Sequence, residues 1–130
     1  MRKTVVLIAG CFSLILALFH VYLGWKIHGL SVLSSDHRAL MEMLNVSTAL
    51  LVFLLAVGSI FFINELLTTQ LGRLVLFSGF LLYTMRAIGE VIFFPTFNVA
   101  IFVVCVLVAG LYLVALLQRI RDPSATAHGS

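Results

Sequence analysis

Residues 74–95 read LVLFSGFLLYTMRAIGEVIFFP, an apolar run with two charges, Arg86 and Glu90, set inside it. A helix needs about 20 predominantly apolar residues to cross the hydrocarbon core of a bilayer, so this stretch has the length of a membrane span. Pro95 closes it, because proline lacks an N–H and restricts the residue before it. A second apolar run follows within a few residues, so the two form an antiparallel helical hairpin. Gly79, Tyr83, Arg86 and Glu90 are separated by four, three and four positions, which puts them on one stripe of the helix.

Working outward, three more runs of the same kind appear. The spans are expected at about 4–25, 39–63, 73–94 and 96–118, within a single domain over residues 1–122, followed by a flexible polar tail at 123–130. The chain is 62% hydrophobic and 10% charged, against about 45–50% and about 25% for soluble domains. The fold class is all-α: an integral membrane four-helix bundle with antiparallel up-down topology. With both termini cytoplasmic, Arg2, Lys3, Arg73, Arg119 and Arg121 lie inside and Lys26 and Arg38 outside, the arrangement the positive-inside rule favours. Small size and the lack of a eukaryotic sorting signal point to a bacterial inner membrane.

In that topology His20, Glu42, Asn45, Arg86, Glu90 and Asn98 all fall in the outer half of the bundle. Each sits on a face shared with small residues: Ser13, Ala17, His20 and Gly24 in the first span, Glu42, Asn45, Ala49 and Ala56 in the second, and Asn98, Phe102, Cys105, Ala109 and Tyr112 in the fourth. Small residues let transmembrane helices approach closely, so these faces are expected to point inward. Ionisable residues within spans are costly and are functional candidates by default. The candidate ligand-binding set is His20, Glu42, Asn45, Tyr83, Arg86, Glu90 and Asn98.

Arg86 stays protonated and lies too deep to reach the interface easily, so it needs an acid or a wet pocket. Glu90, one turn away, and Glu42, across the bundle, are the available acids. Two readings stand side by side: a buried pair that clamps the second and third spans, or a clamp for an anionic or carbonyl-bearing ligand. His20 with Glu42, Glu90 or His37 has the donor types of a zinc site, but no metal-ligand spacing supports one. A hydrogen-bonded core histidine is the plainer reading, and no metal is assigned. Haem would need a second deep histidine, whereas His28 and His37 fall in the first outer connection.

That connection, from Lys26 to Arg38, is expected to lie partly at the interface through Leu30, Val32 and Leu33, as a lid over the polar pocket. Ser35 or Asp36 is expected to cap the second span, and Trp25 and Tyr22 to anchor the first at the interface. Cys11 and Cys105 are read as small buried side chains. The Ile8-Ala9-Gly10-Cys11 stretch looks like a lipoprotein cleavage site, but the apolar run before it is too short for a signal h-region. No basic patch with aromatic platforms suits nucleic acid, and neither a phosphate-binding loop nor a nucleophile elbow is present. A membrane acid in the first span, the pattern of small multidrug exporters, is missing.

Four spans, the Asp36-His37-Arg38 cluster leading into the second, Arg86 late in the third and the Pro95 turn resemble the DoxX-like group of small bacterial membrane proteins. The resemblance implies a membrane redox accessory role linked to quinones. The chain lacks a redox cysteine pair.

The reading adopted is a small integral membrane protein with a polar pocket in the outer half of the bundle, binding an amphipathic ligand or serving as a subunit of a membrane complex. One alternative is a small membrane enzyme or quinone-linked redox accessory using Glu42 or Glu90 as acid/base with Arg86 as electrostatic clamp. A second is an oligomeric proton-coupled transporter, although the two halves show no inverted repeat. No catalytic residue and no cofactor is assigned. The implied partners are the bilayer, a lipid, quinone or other amphipathic ligand, and further copies of the chain or the subunits of a membrane complex.

Overall fold

A computed structural model describes residues 2–29, 34–93 and 98–120. Five helices occupy them: α1 (Arg2–His28), α2 (Ser35–Phe61), α3 (Ile63–Thr68), α4 (Gln70–Phe93) and α5 (Val99–Ile120). Four are long and apolar enough to cross a membrane, and only 28–33% of each span is buried within the protein. The 22 to 27 residues of these helices cover about 33–40 Å at 1.5 Å per residue, enough for a hydrocarbon core of about 30 Å.

The helices overrun the expected span limits because their backbone bonding continues past the apolar run into polar residues. α1 carries Lys26 and His28 in its last turn, and α2 starts at Ser35 rather than at Ala39. The expected cap is displaced. Ser34 is the N-cap, with φ −61° and ψ 154° and no side-chain capping bond, and Asp36 lies in the first turn, where a negative charge suits the helix dipole. Leu30, Val32, Leu33, Pro95 and the 123–130 tail lie outside the described residues.

The second span also ends earlier than expected, at Phe61. Phe62 leaves helical geometry, with φ −113° and ψ 35°, and Asn64 and Glu65 belong to the short α3. A corner then joins α3 to α4. Thr69 Oγ1 donates to the Glu65 carbonyl at 2.8 Å and accepts the Gly72 N–H at 3.0 Å, so one hydroxyl bridges the end of α3 and a free N–H in the first turn of α4. Gly72 lies against the backbone of Glu65 and Leu66, where a Cβ would overlap them. Glycine is required there by close approach.

α1 packs antiparallel on α2, and α4 on α5; α1 against α5 joins the two hairpins. The pairing register shows in contacts at both ends: His20 meets Asn45, while Gly10 lies on Ser59 and Ile60. The core is built of small and medium side chains, including Val6, Ala9, Ala56, Leu76, Val108 and Ala115. In α5, Cys105, Val108, Ala109, Tyr112, Ala115 and Leu116 are buried, spaced to make one inward stripe. Trp25 and Tyr22 are exposed near the end of α1, with Lys26 Nζ 5.7 Å from the Tyr22 ring centre. Cys105 is buried, but Cys11, expected to be buried, is exposed: it lies on the outer face of α1, off the stripe that carries Ala9, Ser13 and Ala17.

Candidate functional site

A chain of hydroxyls crosses the middle of the bundle. Tyr83 on α4 donates to Ser13 on α1 at 2.8 Å; Ser13 Oγ is 3.2 Å from the Tyr112 hydroxyl on α5; and Tyr112 is 2.9 Å from Ser59 Oγ on α2. All four spans are tied at this level. The two tyrosine rings stack with centroids 6.0 Å apart and planes 10° from parallel. Ser13 and Ser59 are fully buried, and without these partners their hydroxyls would be costly.

One side of this layer holds His20, Glu42, Arg86 and Glu90, and with their partners they form three small networks. The first joins α1 to α2. His20 Nδ1 is 2.9 Å from Asn45 Oδ1, and Asn45 Nδ2 donates to the His20 carbonyl at 2.8 Å. Because the amide nitrogen faces a carbonyl, Oδ1 must be the acceptor, and His20 donates through Nδ1–H. In the neutral ring Nε2 is then the acceptor. Gly24 makes room for this pair: a Cβ there would stand 2.9 Å from Asn45 Nδ2.

The second network closes the α4/α5 hairpin. Arg86 Nη1 donates to Glu90 Oε2 at 2.7 Å, one turn along the same helix. Glu90 Oε1 accepts the Asn98 backbone N–H at 3.3 Å, and Asn98 Oδ1 caps α5 by accepting from Ala100 N at 3.1 Å and Ile101 N at 3.3 Å. Asn98 thus serves as an N-cap. The acid that neutralises Arg86 comes from its own helix. Glu42 pairs instead with His28 Nδ1, 3.0 Å away, which ties the ends of α1 and α2 in the third network.

A cavity of about 570 Å³ lies between the hairpins, and His20, Tyr83 and Arg86 all line it. Phe12, Leu16, Val52 and Val104 supply much of its apolar wall. A second hollow of about 600 Å³ is bounded by α4 and α5 alone, through Phe80, Ile88, Phe102 and Val106 among others, with Thr84 its one hydroxyl; that hydroxyl donates to the Phe80 carbonyl. Of the seven residues singled out from sequence, His20, Tyr83 and Arg86 share the first cavity. Asn45 and Glu90 stand behind two of these, Asn98 stands behind Glu90, and Glu42 is engaged elsewhere. Among the described residues no three His, Cys, Asp or Glu side chains gather as a metal-ligand set.

Ser59 and His28 were not singled out from the sequence. Ser59 was within reach, since it continues the Asn45, Val52, Ala56 stripe by three residues. His28 gave no signal, because the span was expected to end before it.

Fold and site together define a class: a small multi-pass helical membrane protein with a polar-ended cavity between two hairpins. No protein-family model, curated protein or solved structure matches the chain.

Proposed function

We propose that the protein binds one amphipathic molecule in the cavity between its hairpins, with the head near His20 and Arg86 and the tail along Phe12, Leu16 and Val104. The observation that carries this is the cavity's composition: largely apolar walls with two ionisable side chains from opposite hairpins. Ligand cavities span about 300–1,000 Å³ and pair apolar linings with a few polar groups that fix orientation. His20 lies eight residues from Phe12 along α1, about 12 Å at helical rise, which separates a polar head region from an apolar tail region. Both termini face the cytoplasm in this reading, as the excess of Lys and Arg on that side favours, and the membrane is a bacterial inner one. The role is binding, alone or as a subunit of a larger membrane complex.

The test is native mass spectrometry of the gently solubilised protein beside Val104→Trp, a substitution that fills the cavity without touching a polar partner. A co-purified amphipathic molecule present on the wild type and absent from folded Val104→Trp supports the proposal. Equal retention by both proteins overturns it.

A further inference from the structure

The walls of the cavity show from which side a ligand reaches it, given the binding reading above. Phe12, Ile15, Leu16, Phe19, His20 and Leu23 of α1 form its floor, at spacings that keep them on one stripe of the helix. Thr48 and Val52 of α2 stand on one side of that stripe, and residues of α4 and α5 on the other. The back is closed where α1 packs on α5. The front is open. Ile15 on the floor is 61% exposed, Phe19 40%, and Met85 on the α4 wall 59%, although all three line the cavity. α2 packs on α1 and α3 and has no comparable packing on α4 or α5, so the two hairpins part along this side.

The opening lies at hydrocarbon depth. Ile15 is 13 residues from each end of α1, about 20 Å at helical rise, which places it at the middle of a core about 30 Å thick. A tail that lies in the bilayer is therefore already level with the opening. Entry through an end of the bundle would first carry that tail through water, which each apolar group resists. Size selects the occupant. A volume of about 570 Å³ corresponds to roughly 19 non-hydrogen atoms at about 30 Å³ per water-sized group, one chain with a small head. It is too small to seat a helix about 10–12 Å across.

We infer that the cavity is filled sideways from the bilayer: a single-chain amphiphile slides between α2 and α4 over Ile15 and Phe19, its tail never leaving the hydrocarbon, and its head comes to rest at the His20 end. The bilayer is then the reservoir of the ligand as well as the solvent of the protein.

The experiment places the full-length protein in bicelles with tetradecanol carrying a terminal trifluoromethyl group, and reads by fluorine exchange spectroscopy the rate at which the label passes between bilayer and bound signals. Met85→Trp narrows the side opening, and Leu23→Trp narrows the end nearer the membrane surface. Both residues line the cavity, so the two variants lose similar volume and the difference between them reports the route. Ile15→Trp, on the floor of the same opening, takes the place of Met85→Trp if that variant does not fold. The expected result is exchange slowed about tenfold in Met85→Trp and by no more than about twofold in Leu23→Trp. Equal slowing by both, slowing by neither, or stronger slowing in Leu23→Trp overturns sideways entry; in each case a bound signal that is lost in Val104→Trp leaves the cavity reading standing. A wild type with no bound signal, or a bound signal that persists in Val104→Trp, overturns the cavity reading itself.

Discussion

Replacing Tyr112 with Phe removes one oxygen from the centre of the bundle and nothing else. The ring keeps its stack on Tyr83, 6.0 Å between centroids, so the loss isolates the hydroxyl. That hydroxyl meets Ser59 at 2.9 Å and Ser13 at 3.2 Å, joining α5 to α2 and α1. Interhelical hydrogen bonds within membranes average about 0.6 kcal/mol, with a maximum near 1.7 kcal/mol. Two of them, the longer one weaker, give about 1–2 kcal/mol, or roughly 5- to 30-fold in the unfolding equilibrium. Relaxation limits the upper end: Ser13 keeps the Tyr83 donor at 2.8 Å, and a helical serine that loses its partner can bond the carbonyl one turn back. The assay is equilibrium unfolding in bicelles of Tyr112→Phe, Ser59→Ala and the double variant. Ser59→Ala should cost about half as much, and the double variant little more than Tyr112→Phe, because the two single changes break the same bond. A Tyr112→Phe protein within about 0.3 kcal/mol of the wild type, or full additivity of the two changes, refutes the idea that the hydroxyl chain ties the hairpins.

Two further outcomes follow from the ionisable networks. Arg86→Met leaves Glu90 buried without its guanidinium and should destabilise by about 3 kcal/mol, with much of the loss recovered in Arg86→Met/Glu90→Leu; the same unfolding assay checks both, and a double variant no more stable than the single one contradicts the pairing. Asn98→Ala removes the α5 cap and should cost about 1 kcal/mol while leaving retention of a co-purified amphipathic molecule unchanged. A selective loss of that binding would return Asn98 to the ligand site.

Several features of the bundle were readable from sequence because they depend on local periodicity and on the length of apolar runs. The four spans, their antiparallel pairing and the inward stripes through Ser13, Asn45, Tyr83 and Cys105 are of this kind. Helix ends were less legible. Polar residues such as Ser35 and His28 continue a helix beyond hydrocarbon depth without any change in backbone bonding, and the corner at Thr69 depends on Gly72 meeting the backbone of Glu65 and Leu66. The least readable feature was which acid serves which base. Glu42 and Glu90 both lay within plausible reach of Arg86, and a helical wheel places both on inward faces. Only the relative rotation and depth of α2 and α4 decides that Glu42 meets His28 while Glu90 serves Arg86.

That division shows how the molecule handles its polar groups. The Arg86 charge is met by Glu90 four residues away on the same helix, and Glu42 is held by a hydrogen bond with His28 at the adjoining ends of one hairpin. Ties across all four spans are left to neutral hydroxyls. The physical reason lies in the cost of failure. A buried hydroxyl that loses its partner during a rigid-body adjustment of the hairpins costs a few kcal/mol at most in protein contexts and can find a carbonyl on its own helix. A buried carboxylate stripped of its cation is far more expensive. With both pairs held within one hairpin, a relative shift of α1/α2 and α4/α5, which the proposed binding function would call for, separates neither of them. The bonds broken by such a shift are the cheap ones at Ser13 and Ser59, while His20 and Arg86, the side chains proposed to meet a headgroup, stay pinned by Asn45 and Glu90 from within their own hairpins.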